Sequence, residues 1–245
     1  MTDNFILRSA FHILHPVFER NPVNSDILIR LIIQLPPLML AISVHEMAHG
    51  YMAFRKGDYT AKLMGRVTLN PIKHIDPVGT VLVPLMLAMS GTGVLFGWAK
   101  PVPVSPVNFK SPRKDNAIVS LAGPASNLLL AMVLALVFRI MLWVPGYQAI
   151  MSSPVLKPLA FMIIFGIRIS IVLCVFNLFP VHPLDGSHIV QGLLPPHQAQ
   201  VYSRHERYGF IILLVLLFTG LLWRIIAPFY ALFIGLISSV FAIPL

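Results

Sequence analysis

The sequence predicts an all-α polytopic membrane protein with about five to six transmembrane helices and a short re-entrant or β-like segment between the first two core spans. Three observations carry that reading. Of 245 residues, 57% are apolar and only 11% charged. The apolar residues gather into runs of about the length, roughly 17–25 residues, that a spanning helix needs. The basic residues fall between those runs, where they act as topology charges.

Residues 1–26 contain Asp3, Arg8, Glu19 and Arg20 and no sustained apolar core. They do not resemble a cleaved signal peptide, and Phe5 to Phe18 is expected to lie on the membrane interface. Spans are expected at Ile27–Phe54, Ala117–Trp143, Leu156–Phe179 and Tyr208–Trp223, with Ile225–Ile243 as a fifth, interrupted by Pro228. Val78–Phe96 is long enough to cross, but it holds Pro84 and a Gly91-Thr92-Gly93 break and is flanked by basic loops at both ends. If both loops lie on the cytoplasmic side, it must enter and leave on one face, which predicts a re-entrant or interfacial hairpin. The Ala117 span then returns outward and the Leu156 span comes back in. The ends of two helices distant in sequence therefore meet on one side.

Ala99–Val107 carries Pro101, Pro103 and Pro106, which favour an extended chain that cannot sustain a central ladder. Lys62–Leu69 could form a short edge strand. A net charge of +9 could suggest nucleic acid, but the basic residues form neither a stripe nor a basic helix. The single cysteine, Cys174, lies in an apolar run, which excludes a disulfide framework and a cysteine zinc site.

The sharpest local signal is His45-Glu46-Met47-Ala48-His49. On a helix it puts two imidazoles at i and i+4 on one face, as a zinc ion requires, with a carboxylate beside them for proton transfer. Three ionisable side chains near the end of a span are costly unless they bind something or face a cavity. The bland alternative is a hydrogen-bonded polar cluster that packs helices. A catalytic zinc commonly takes three protein ligands, so a third must come from elsewhere. Asp185 is the best candidate, one of six aspartates, placed after a span in Asn177-Leu178-Phe179-Pro180-Val181-His182-Pro183-Leu184-Asp185-Gly186. Pro180, Pro183 and Gly186 would break the helix and turn its carboxylate inward. Read alone, Asp185 fits a turn cap equally well.

Four stretches together resemble the site-2 protease family of intramembrane metalloproteases, in its compact form without a PDZ or CBS domain. They are His45–His49 with Gly57-Asp58; Gly65–Pro77; Gly97–Val104; and Ala122-Gly123-Pro124-Ala125-Ser126-Asn127 paired with Asn177–Gly186. The match runs from about residue 40 to 195. The resemblance implies that His45, His49 and Asp185 bind one Zn2+ per chain and that Glu46 is the general base toward the zinc-activated water. It further implies that Asn177 sits near the catalytic centre, orienting the scissile carbonyl or its oxyanion. The expected activity is that of a zinc metalloendopeptidase cutting within or near transmembrane segments of membrane-protein substrates, in a multi-pass protein of the bacterial cytoplasmic membrane.

On that reading residues 1–26 form an N-terminal interfacial segment, 27–195 the catalytic membrane core and 196–245 a C-terminal transmembrane hairpin. His182 stands where the family has proline or a small apolar residue, and His188 where arginine is common. A lone histidine is more often a hydrogen-bonded structural residue than a ligand, so both stay off the metal list, as does His74 in its proline-flanked loop. Gly123 and Asn127 read as helix packing with an interhelical hydrogen bond. Two rival classes are a non-catalytic zinc-binding scaffold or chaperone and a metal-ion transporter. A scaffold has no need of Glu46, and a transporter should carry polar groups along several spans.

Overall fold

The computed structural model describes residues 25–83, 86 and 99–245. The N-terminal segment with Phe5–Phe18, and most of Val78–Phe96, lie outside the described residues.

The chain is an all-α polytopic membrane protein. Helix α1 (Ser25–Arg55) contains the first span and runs on through Pro36 and Pro37. It stops at a glycine: Gly57 has φ +105, and Asp58 N–H reaches back to the Ala53 carbonyl while Gly57 N–H donates to Phe54. That pair of bonds closes the helix end as a Schellman cap, which requires a residue free to adopt positive φ. A one-turn helix α2 (Thr60–Leu63) follows, then a 3₁₀ turn at Pro71–His74 and a π turn at Pro77–Leu82.

Helix α3 (Pro112–Trp143) starts with proline at its first turn, where the missing N–H costs nothing. A short helix α4 (Gly146–Ser152) leads into α5 (Leu156–Asn177). After the turn at residues 178–184 come α6 (Asp185–Leu193) and α7 (Pro196–Ser203). The chain ends in α8 (Glu206–Phe218) and α9 (Leu221–Phe241).

Helix α3 is the central strut, packed against α1, α5 and α6. Small residues make that approach close: Ala131 and Ala135 are fully buried beside Ile167 and Ile171 of α5, as expected where membrane helices meet. The opposite face of α3 is apolar and open, with Leu129 at 58% and Leu136 at 50% exposure. Small residues inside and large aliphatics outside is the pattern of a helix solvated by lipid, since a water-facing surface of this kind would be an aggregation liability.

Four helices among the described residues are long and apolar enough to cross, Leu31–Arg55, Pro112–Trp143, Leu156–Asn177 and Leu221–Phe241, in keeping with an all-α polytopic membrane protein. Two expectations are corrected. The expected break near Arg224 lies instead at Gly220, whose φ of +70 leaves α8 with only 13 residues. At 1.5 Å per residue that helix is roughly 20 Å long, short of the roughly 30 Å hydrocarbon core.

The edge strand expected at Lys62–Leu69 also does not form. This stretch is part of α2 followed by turns and bends, with Gly65 at φ +63. Its neighbour across the fold, residues 99–107, has prolines at 101, 103 and 106 and lacks the amide donors for a ladder. The two are tied by a side chain instead, as the Arg66 guanidinium donates to the carbonyls of Lys100 at 2.7 Å and Pro101 at 3.2 Å.

Candidate metal centre

Helical geometry brings His45 and His49 together on one face of α1. Their Nε2 atoms are 3.0 Å apart, and both residues are at most 9% exposed. Asp185 opens α6, and its Oδ2 lies 3.2 Å from His45 Nε2 and 3.3 Å from His49 Nε2. Two helix ends from remote parts of the chain thus meet on one side of the bundle, as the topology reading expected.

These three atoms have the donor set and spacing of a zinc site. Tetrahedral ligands about 2.0–2.1 Å from zinc lie roughly 3.3 Å from one another. The observed separations of 3.0, 3.2 and 3.3 Å fit that triangle without rearrangement. No other trio of His, Cys, Asp or Glu among the described residues comes together in this way. Burial works against ionisation of Asp185, but when the imidazoles carry protons on Nε2 their hydrogen bonds and charge outweigh it and hold the carboxyl well below the usual carboxylate range; a bound cation would take the place of those protons. Its position in the first turn of α6 adds the favourable end of a helix dipole. The carboxylate is therefore in the state a cation needs.

The turn that delivers Asp185 is closely made. A Cβ on Gly186 would sit 2.2 Å from the Leu178 carbonyl oxygen, so only glycine lets the start of α6 fold back onto the end of α5. His182 Nδ1–H donates to Ser187 Oγ at 3.0 Å, and that hydroxyl donates to the Leu184 carbonyl at 2.7 Å. His182 is 5% exposed, packed edge to face on His188 at 5.3 Å. Burial, with the neighbouring His188 charge, pushes its pKa down. Its role is to hold the turn. His74 is likewise a structural pin, with Nε2–H on the Thr68 carbonyl at 2.9 Å and its own carbonyl accepting from Lys100 N–H.

Glu46 projects from the same turn of α1 as His45. Its Oε2 accepts the Val102 N–H at 2.7 Å; no hydrogen bond among the described residues engages Oε1. The segment that supplies Val102 is anchored at both ends, by Arg66 at Lys100 and Pro101 and by Asp58 further along. Asp58 is fully buried and accepts from Ser105 N–H at 2.7 Å, Asn108 Nδ2 at 2.8 Å and both donors of Thr60. Desolvation opposes its charge, but these hydrogen bonds prevail and lower its pKa. The sequence reading marked Gly57-Asp58 without seeing this role. An aspartate just after a glycine and followed two residues later by threonine was the available signal.

Asn177 is held by its own helix. It is the last residue of α5 and donates from Nδ2 to the Leu173 carbonyl of its own helix at 2.9 Å. No hydrogen bond among the described residues joins it to the histidines or Asp185.

Comparison with known proteins agrees with this geometry. Residues 140–220 match the model of peptidase family M50. A Bacillus subtilis (strain 168) protein named "Putative zinc metalloprotease YwhC" is 42% identical over 184 residues, covering 75% of this chain and 79% of the relative. "Putative zinc metalloprotease Rip2" of Mycolicibacterium smegmatis is 31% identical over 187 residues, covering 76% and 66%. Its Mycobacterium tuberculosis (H37Rv) namesake is 28% identical over 179 residues, covering 73% and 63%. No solved structure matches. With a largely buried His-His-Asp triangle between a membrane-spanning helix and the start of α6, the chain belongs to peptidase family M50, the site-2 protease family, and is a zinc metalloprotease.

Proposed function

We propose that the chain is an intramembrane endopeptidase of the site-2 type, with His45, His49 and Asp185 as zinc ligands and Glu46 as general base. It hydrolyses peptide bonds within or near transmembrane segments of membrane-protein substrates. The observation that carries the reading is the depth of the triangle. His49 lies six residues before the end of α1, so the site sits roughly 9 Å inside the end of a spanning helix, among lipid-facing helices. A soluble loop has no need of a buried site there, whereas a protease that cuts membrane helices does.

When bound, zinc supplies Lewis acidity, polarising a carbonyl and making water a nucleophile near neutral pH. The chain's own residues do the rest. Asp185 and the two imidazoles would hold the ion near one end of α1. The Val102 amide holds Glu46 by one oxygen and leaves the other to take a proton from water and return it to the leaving amine. Asn177 retains a second amide hydrogen, which a carbonyl entering at the end of α5 can accept. A substrate helix must unwind locally before attack, because its peptide groups are closed in their own hydrogen bonds. Residues 27–195 form the catalytic core and 196–245 a C-terminal hairpin, in a bacterial cytoplasmic membrane.

The test is a pair of measurements on purified protein: zinc content, and cleavage of a single-span reporter with a glycine-weakened helix in liposomes. Wild type is expected to hold about one zinc and cut; Glu46→Gln is expected to hold zinc without cutting. Zinc retained by wild type with no cleavage across a panel of such reporters would favour a zinc-binding scaffold instead.

A further inference from the structure

We infer that α3 positions the ligating nitrogens of the site through a stripe of three residues, Val119, Gly123 and Asn127, and that Asn127 sets the tautomer of His45. The inference rests on His45 and His49 being metal ligands.

The stripe has a spacing of i, i+4, i+8, one face of a helix. Each member meets the histidine pair. Val119 offers its carbonyl to His49 Nδ1 at 2.8 Å. A Cβ on Gly123 would lie 2.3 Å from His49 Nε2 and 2.7 Å from His45 Cε1, so the missing side chain is the space the two rings occupy. Asn127, fully buried, has its amide 3.1 Å from His45 Nδ1.

The tautomers follow from these partners. His49 Nδ1 faces a carbonyl, which can only accept, so the ring proton is on Nδ1 and the Nε2 lone pair points into the triangle. His45 must do the same to bind a cation through Nε2, and then its Nδ1–H needs an acceptor. The only acceptor on Asn127 is Oδ1. The amide is recorded with Nδ2 toward the ring, and Oδ1 is buried with no partner. Oxygen and nitrogen of an amide are nearly isosteric, and their assignment follows the hydrogen-bond network. The donor set of the site therefore assigns Oδ1 to His45. In the opposite orientation the proton would sit on Nε2 and block the metal.

This makes Asn127 a positioning residue with a signature that packing alone lacks. The experiment compares zinc dissociation constants, by chelator competition on the full chain in detergent, for wild type, Asn127→Asp, Asn127→Leu and His45→Ala. Apo-protein unfolding is followed in parallel. Asp keeps an acceptor and loses the donor, while Leu keeps the volume and loses both. Expected are a zinc affinity within about threefold of wild type for Asn127→Asp and a loss of roughly 10–100-fold for Asn127→Leu, the range seen when a partner behind a ligating histidine is removed. Equal loss in both, or wild-type affinity in Asn127→Leu, overturns the assignment. If Asn127→Leu does not fold, Asn127→Asp decides alone: near-wild-type affinity supports the acceptor role and a tenfold loss rejects it. His45→Ala separates the two levels, because wild-type affinity there would refute the ligand assignment rather than the role of Asn127.

Discussion

The two halves of the proposed metal centre are built in opposite ways. His45 and His49 stand on consecutive turns of a 31-residue helix, backed by the rigid face of α3. Asp185 arrives at the end of a turn, placed by the fold-back at Gly186 and the hydrogen-bonded chain from His182 through Ser187 to Leu184. The first half needs only helical periodicity to bring its ligands together. The second needs the whole α3–α5–α6 packing to be correct before its single carboxylate counts.

The sharpest way to break the comparison is to remove one ligand from each half. His45→Ala and Asp185→Ala should both drop zinc content to background, an affinity loss above roughly 100-fold, since losing even an outer partner costs 10–100-fold. Full zinc in folded Asp185→Ala would show the helical half to be sufficient. Glu46→Gln should leave zinc in place and slow reporter cleavage by about 10²–10⁴-fold, the usual worth of a general base.

Steric probes come next in size. Gly123→Ala drives a methyl into both imidazoles, and Gly186→Ala drives one into the Leu178 carbonyl. Each should destabilise by about 1–3 kcal/mol, as overpacking does, read by thermal unfolding. Gly123→Ala must also weaken zinc, because the atoms it strikes are ligand rings. If Gly186→Ala lowers stability while zinc affinity is unchanged, the turn is not what places Asp185.

A comparable cost in stability, with no direct loss of zinc, is expected outside both halves. Asp58→Ala strands the Ser105 amide and the Asn108 and Thr60 side chains, costing about 1.5–3 kcal/mol. Faster hydrogen exchange at Ser105 and Val102 would report a loosened segment over Glu46, and unchanged exchange there would refute the link.

The smallest effect concerns pH. The folded-state pKa of His182 is depressed, so the unfolded chain binds the proton more readily. The stability this neutral histidine permits is complete above its ordinary value of about 6.5 and falls as pH drops below it. His182→Gln should flatten that part of the apo-protein stability curve, and an unaltered slope would count against the role.

Much of this was legible before any coordinates. The His45–His49 pair was readable because the two residues lie one helical turn apart, and the four-residue spacing fixes their geometry. The meeting of the ends of α1 and α5 followed from charge placement and span count. The edge strand at Lys62–Leu69 failed because alternation in a short segment says nothing of its neighbour, and here the neighbour is rich in proline. The C-terminal spans were divided between Trp223 and Ile225, whereas the backbone turns at Gly220, where positive φ is cheap. Gly123 and Asn127 were read as helix packing with an interhelical hydrogen bond, and Asn127 does reach His45 on another helix; spacing shows that the two share a face, but not that the face meets two imidazoles.

The sequence by itself determined that this is an all-α polytopic membrane protein, that one helix carries a two-histidine half-site, and that Asp185 follows a later span on the same side. Those facts are local or depend on transfer to lipid, and composition and periodicity express both. Only the tertiary structure decided that Asp185 Oδ2 completes the triangle, that the Val102 amide holds Glu46, and that Val119, Gly123 and Asn127 back the ligands. Each of these is a contact across 50 or more residues, fixed by the packing of helices whose order along the chain does not state which faces meet.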